Sequence, residues 1–298
     1  MHMIKFVTSN EWMLRYATKY DILARILKGS ILSLRKYNDR KIRENVYYSI
    51  RLINGVSKQT ETGRFSDIDE ITKCIIMERQ CRDLHDVGVS SGITSIELLR
   101  KLGAISVNYF ISDKYSYCYV YSRFGQTLIF DSDFRLLVVY VGPFFAEHDC
   151  RNYFFLSKLI FLFGRYRSVE RDQCQKIVLF EDEVVEAING GDIKHIEYDV
   201  LRTKVNSEFD YVRCMNLLNY SYFSAEELQQ GIAGVYHSLR KGGIFQVGRT
   251  TSDGKNNVSF YVKEDQSFSL VKRVGDGSEI DNLILGAQKF IRDSLVKY

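Results

Sequence analysis

Apolar residues along the chain change their period near residue 80. Before it, Met13, Ala17, Tyr20, Ala24, Leu27, Ile31 and Leu34 recur at steps of four and three, and Ile42, Val46 and Ile50 continue the spacing. That is one face of a helix, and Gly29–Ser30 divides it in two. Residues 1–80 are therefore expected to form an N-terminal helical region. After Asp83 strands and helices alternate. Leu84–Val89 reads as a buried strand and Gly88–Gly92 as a turn. Ile96, Leu99 and Leu102 form one face of a helix that Gly103 stops. Val107–Ser112 is the next strand. Strand–helix–strand is the unit of a parallel sheet with a right-handed crossover.

Further strands are expected at Lys176–Phe180, His195–Tyr198, Phe209–Met215 and Ile244–Gly248. Between the last two, Ser224 and Glu227 form an S-x-x-E capping box, and Leu228, Ile232, Val235 and Leu239 make a buried helical face. Arg240 and Lys241 suit the end of that helix, which Gly242–Gly243 would close. Val258–Val262 and Phe268–Val274 read as an antiparallel hairpin around Glu264–Gln266. The 86 residues from Asp113 to Asp199 exceed what one crossover needs. Residues 115–175 are therefore read as an insertion, with strands joined at Gly125 and at Asp131–Asp133 and an apolar helix at Tyr153–Gly164. That run is too short to span a bilayer and carries Lys158. The expected organisation is thus 1–80 as the helical region and 81–298 as an α/β domain carrying the insertion.

Composition narrows the class. A 45% hydrophobic and 13% aromatic chain of 298 residues can bury a large core, and the lone proline, Pro143, punctuates no linker. Six cysteines contain no CxxC pair, and the five histidines form no zinc pattern with them. With no apolar leader and no transmembrane segment, free thiols in a reducing, cytoplasmic setting are expected. The net charge is +4, but residues 15–51 hold ten Lys/Arg against three Asp/Glu, leaving −3 for the rest of the chain. This excess suits an acidic partner or surface, and equally a solvated helical face. The overall pI of about 8.6 falls short of the strongly basic range, which argues against nucleic acid as the partner.

The turn after the first strand carries the candidate chemistry. Small residues let backbone approach a ligand closely, and the helix N-terminus that follows offers unpaired N–H groups to an anion. A dinucleotide fingerprint from Gly88 would need glycine at 90 and 93, where the chain has Ser90 and Ile93. A Walker A loop would need lysine after Gly92. The pattern that fits is D-x-G-x-S-x-G, at Asp86, Gly88, Ser90 and Gly92. It resembles the first motif of class I S-adenosylmethionine-dependent methyltransferases. Serine at 90 is similar to the chemotaxis-receptor glutamate methyltransferases, as is RCMN…Y at Arg213–Tyr220. The acidic residues that follow the first motif in those enzymes are absent, since Gly92 leads into Ile93–Thr94–Ser95.

The resemblance implies a Rossmann-like class I methyltransferase sheet with helices on both faces, binding S-adenosyl-L-methionine. Asp86, Gly88, Ser90 and Gly92 would wrap the amino-acid end of the cofactor. Asp113, 21 residues after Gly92, would hold the ribose hydroxyls, and Asp199 would lie beside the adenine. FDYVRCMNLLNY resembles the family's fourth strand and its loop, bringing Met215 to the cofactor, and LRKGGIF resembles the turn into the fifth strand. The family then implies catalytic or acceptor-facing roles for Asn216, Asn219 and Tyr220, with Tyr222 nearby. No N-P-P-[YF] motif follows the strand, because Asn216 precedes Leu217–Leu218–Asn219. Arg213 could pair an anionic substrate or serve a structural ion pair. The acceptor implied is a small molecule or a protein side chain. The competing reading is a non-catalytic binding module acting through the basic N-terminal helices. Gly92→Val is expected to strike the cofactor and spare the fold.

Overall fold

The computed structural model describes residues 5–50, 61–147, 169–203 and 208–295. In chain order the elements are β1 (Lys5–Thr8), α1 (Glu11–Ala17), α2 (Asp21–Ile26), β2 (Leu27–Gly29), α3 (Arg40–Ser49), α4 (Ser66–Glu78), β3 (Asp83–Val87), α5 (Ile93–Leu102) and β4 (Asn108–Ser112). Then come β5 (Tyr117–Arg123), β6 (Gln126–Phe130), β7 (Leu136–Val141), β8 (Phe144–Glu147) and β9 (Gln175–Val178). The remainder is α6 (Asp182–Gly190), β10 (Ile193–His195), β11 (Phe209–Met215), α7 (Ala225–Ser238), β12 (Leu239–Thr250), β13 (Asn256–Lys263), β14 (Phe268–Val274), α8 (Asp281–Leu285) and α9 (Gln288–Leu295). The chain divides into two units, Met1–Thr60 with Tyr115–Asp182, and Glu61–Lys114 with Glu183–Tyr298.

In the first unit the described strands form one sheet in the order β2-β1-β8-β7-β6-β5-β9. Only the β1–β2 pair is parallel. The short strand β2 interrupts the apolar stripe and resets its phase. Leu14, Ala17, Ile31 and Leu34 are buried, whereas Met13 and Tyr20 are exposed. The strand expected near Lys176 pairs antiparallel with β5, so it belongs to this sheet. The helix expected at Tyr153–Gly164 lies outside the described residues.

The second unit is Rossmann-like, with its strands in the order β10-β4-β3-β11-β12-β13-β14. The first five are parallel, and β13 and β14 close the edge as an antiparallel hairpin. Both faces of β11 are covered. Val212 and Cys214 join the core beneath Leu228, Ile232 and Val235 of α7. Tyr211 and Arg213 point the other way, where Gln246 bonds Thr72 of α4 and Arg213 pairs with Asp69 of α4. These bonds put α4 in this unit, not with the N-terminal helices to which the pattern before residue 80 assigned it. Ser224 and Glu227 make both bonds of the capping box. The helix they start ends at Ser238, and Arg240 lies in β12, where it pairs with Asp83 and Asp210. Pairing of Leu239 with Phe209 of β11 supplies the backbone bonds that a longer helix would have made internally.

Candidate functional site

Chain order in this sheet runs outward from β3 through β4 to β10, then returns to β11 and β12. The order reverses between β3 and β11, and ligands of open α/β sheets sit beyond the carboxyl ends of the strands at such a point. The turn Gly88–Gly92 leaves β3 there. Gly88, Ser90 and Gly92 all take left-handed backbone, with φ of 76°, 57° and 80°. Glycine adopts this freely, but for Ser90 it costs roughly 1–2 kcal/mol. Three bonds help to hold the turn. The Ser112 carbonyl at the end of β4 accepts from the Gly88 and Val89 amides, and Asp113 Oδ2 accepts from the Ser90 amide at 2.7 Å.

Asp113 and Asp199 come to the same end of the sheet. Lys114, next to Asp113, reaches Asp199 Oδ2 at 3.0 Å. Asp199 also organises its own turn: its Oδ1 accepts from the Leu201 amide, and its amide donates to Thr203 Oγ1. Both acidic residues thus have structural partners. The loop after β11 closes on the turn from the other side, where a Cβ at Gly88 would stand 2.8 Å from Leu217.

Within that loop most polar groups serve the loop itself. Asn216, at φ 57°, donates its amide to the Gly248 carbonyl and accepts from the Thr250 amide through Oδ1. Asn219 is buried; it donates to the Leu217 carbonyl and accepts from the Ser221 amide. Tyr220 is half exposed, and its amide donates to Glu279. Met215 is buried and accepts a long contact from Gln246 Nε2 at 3.6 Å.

Asp86 lies beneath the turn in a buried network that the pattern of apolar positions did not reveal. Its Oδ2 accepts from Ser95 Oγ at 2.8 Å, Tyr109 Oη at 3.1 Å and Arg213 Nη1 at 3.1 Å. Arg213 Nη2 meets Asp69 at 3.0 Å, and the Phe65 ring lies against the guanidinium. Burial pushes the Asp69 carboxyl up to about 6, against the opposing pull of Arg213. Of the two roles open to Arg213, the structural ion pair is the one observed. The usable signal is Arg213 itself, a cation flanked by Tyr211, Val212, Cys214 and Met215 in an expected strand, since a buried charge must be paired.

Gly92 has a structural role that the sequence pattern understates. Its φ of 80° disfavours any side chain, and a Cβ would stand 2.9 Å from Val184 of α6. Gly92→Val should therefore destabilise the fold by about 2–4 kcal/mol, through backbone strain and overpacking. The expectation that this substitution spares the fold is corrected accordingly. Urea denaturation measures the loss, and a variant with unchanged midpoint would contradict this geometry.

No protein-family model matches the chain. No curated protein matches it in sequence. Solved structures of similar fold include an S-adenosylmethionine-dependent methyltransferase from Clostridium acetobutylicum, 14% identical over 77% of this chain and 80% of its own, with a TM-score of 0.36. An O-methyltransferase family protein from Burkholderia thailandensis is 12% identical over 73% of this chain, with a TM-score of 0.34. The CurJ carbon methyltransferase is 13% identical over 65% of this chain, with a TM-score of 0.36. The chain spans 37% of the CurJ protein and 44% of the Burkholderia protein. The fold assignment rests on the strand order given above. Among the described residues no helix is long and apolar enough to cross a membrane.

Proposed function

We propose that the second unit binds S-adenosyl-L-methionine and transfers its methyl group to a small molecule or a protein side chain. The observation that supports this best is the meeting of the Gly88–Gly92 turn with Asp113, by the 2.7 Å bond from the Ser90 amide, where the strand order reverses. An acidic side chain at that place suits two ribose hydroxyls. In this reading the turn and the start of α5 face the carboxylate of the cofactor's amino-acid end, and Asp199 stands beside the adenine. Asp86 and Met215 act from beneath, through the packing that shapes the turn and the strand end. When bound, the cofactor supplies an electrophilic methyl carbon for in-line displacement. The chain's part is to align the acceptor and exclude water, for which Asn216, Asn219 and Tyr220 are the candidates. The chemotaxis-type acceptor is not carried over, because the acidic residues after the first motif are missing.

Asp113→Ala tests the assignment. Losing charge-assisted bonds should weaken cofactor affinity by at least roughly tenfold in calorimetry. Stability should also fall, by about 1–2 kcal/mol, because the strained Ser90 amide loses its acceptor. A variant with lower stability and unchanged affinity would make Asp113 a structural residue only. A second reading is a non-catalytic binding module that keeps the turn without the cofactor and acts through the basic N-terminal helices. Folded wild-type protein that gives no heat with millimolar S-adenosylmethionine would decide for that reading.

A further inference from the structure

We propose that the face formed by Trp12–Leu23 in the first unit docks on an anionic lipid bilayer. Helices α1 and α2 leave Trp12, Met13, Tyr16, Tyr20, Ile22 and Leu23 exposed, with Trp12 at 74% and Ile22 at 66%. Six large apolar side chains within twelve residues form no scatter of single exposures, and such patches mark interaction surfaces. The rings run along one stripe, Trp12 stacked on Tyr16 at 6.3 Å and Tyr16 tilted against Tyr20 at 5.4 Å.

Charge gives the partner's chemistry. Arg15, Arg35, Arg40 and Arg43 are neutralised by Glu11, Asp182, Glu44 and Glu181. Lys19, Arg25, Lys36 and Lys41 are exposed and have no ion-pair partner among the described residues. Of the carboxylates between residues 11 and 50, Asp21 alone lacks a cationic partner among the described residues. Lys19 and Arg25, unpaired among the described residues and in or next to the segment of exposed tryptophan, tyrosine and aliphatic side chains, match a headgroup region with anionic lipid, where amphipathic rings settle and each cation adds attraction. Single-stranded nucleic acid would use the cations and rings, but Met13, Ile22 and Leu23 offer it little, and the rings already cover one another.

Trp12 is the only tryptophan of the chain, so its emission reports the proposed contact directly. The full chain is titrated with vesicles of phosphatidylcholine alone and with phosphatidylserine added. The expected result is a blue shift, and quenching by brominated acyl chains, with the anionic vesicles only and reversed by high salt. Neutralising both cations in a Lys19→Gln/Arg25→Gln variant should weaken binding about thirtyfold, since each contributes about fivefold. Unchanged Trp12 emission with anionic vesicles overturns the proposal, as does co-sedimentation without a shift or equal affinity for neutral vesicles. A shift that follows protein concentration without lipid would assign the face to a second copy, and one given by single-stranded DNA alone would assign it to nucleic acid. Either overturns the lipid assignment.

Discussion

Arg213→Met should cost the second unit about 3–5 kcal/mol, because it leaves two buried carboxylates without their cation. Arg213, Asp69 and Asp86 are all buried, and the guanidinium bridges the two acids at 3.0 and 3.1 Å. Methionine fills much of the same volume, so the loss is mainly electrostatic. The pH dependence identifies it. Asp69 is already pushed up to about 6 by burial, with Arg213 holding it down and Asp86 pushing it further up. Removing Arg213 raises it more. The deficit of the variant should therefore be largest at neutral pH and shrink as Asp69 takes up its proton on acidification. Adding Asp69→Asn should recover part of the loss at neutral pH. Urea denaturation of the three proteins at neutral and mildly acidic pH measures this. A deficit that is the same at both would mean a lost packing contact and not an uncompensated charge.

Acidification should destabilise the second unit through His85. The ring is buried in β3, with Nε2 2.8 Å from Ser112 Oγ and the Tyr198 and Phe209 rings against it at 4.9 and 4.6 Å. Nδ1 has no hydrogen-bond partner among the described residues. Burial pulls the imidazole down from 6.5 to about 3. The folded state therefore resists a proton that the unfolded chain accepts. The associated stability is fully present above pH 6.5 and is lost as the pH falls towards about 3. A displacement of that size corresponds to about 5 kcal/mol. Asp69 acts in the opposite sense: with its folded value raised from 3.8 to about 6, its contribution is present below 3.8 and lost as the pH rises through about 6. Comparing wild type with His85→Gln, which keeps a hydrogen-bonding side chain but does not titrate, isolates the imidazole. The difference in unfolding free energy between the two should change steadily between neutrality and acid. A flat difference would show that the ring is hydrated in the folded protein.

Local chemistry determined the parts that depend on near neighbours. Ser224 and Glu227 start α7 by bonding across three residues, and the glycine-bounded turn after β3 required left-handed backbone wherever it was placed. Phe209–Met215 reads as a strand from its own residues, and Arg213 within it calls for a partner. None of these signals names a distant partner. Asp69 meets Arg213 across 144 residues, and nothing near Asp69 marks it as anything but a polar helix residue. Arg240–Gly243 carries every local sign of a helix end, yet β12 starts at Leu239 because β11 offers a ladder of backbone bonds there. The N-terminal stripe failed for the same reason: β1 pairs with β8, and the β1–β2 pair sets which side of the intervening helices is buried. Sequence by itself determined the central strands of the second unit, the Ser224–Glu227 cap and the glycine-bounded turn. Which residues pair across the fold was decided by tertiary structure, because backbone ladders and buried charges are satisfied by groups brought together only when the chain has closed on itself.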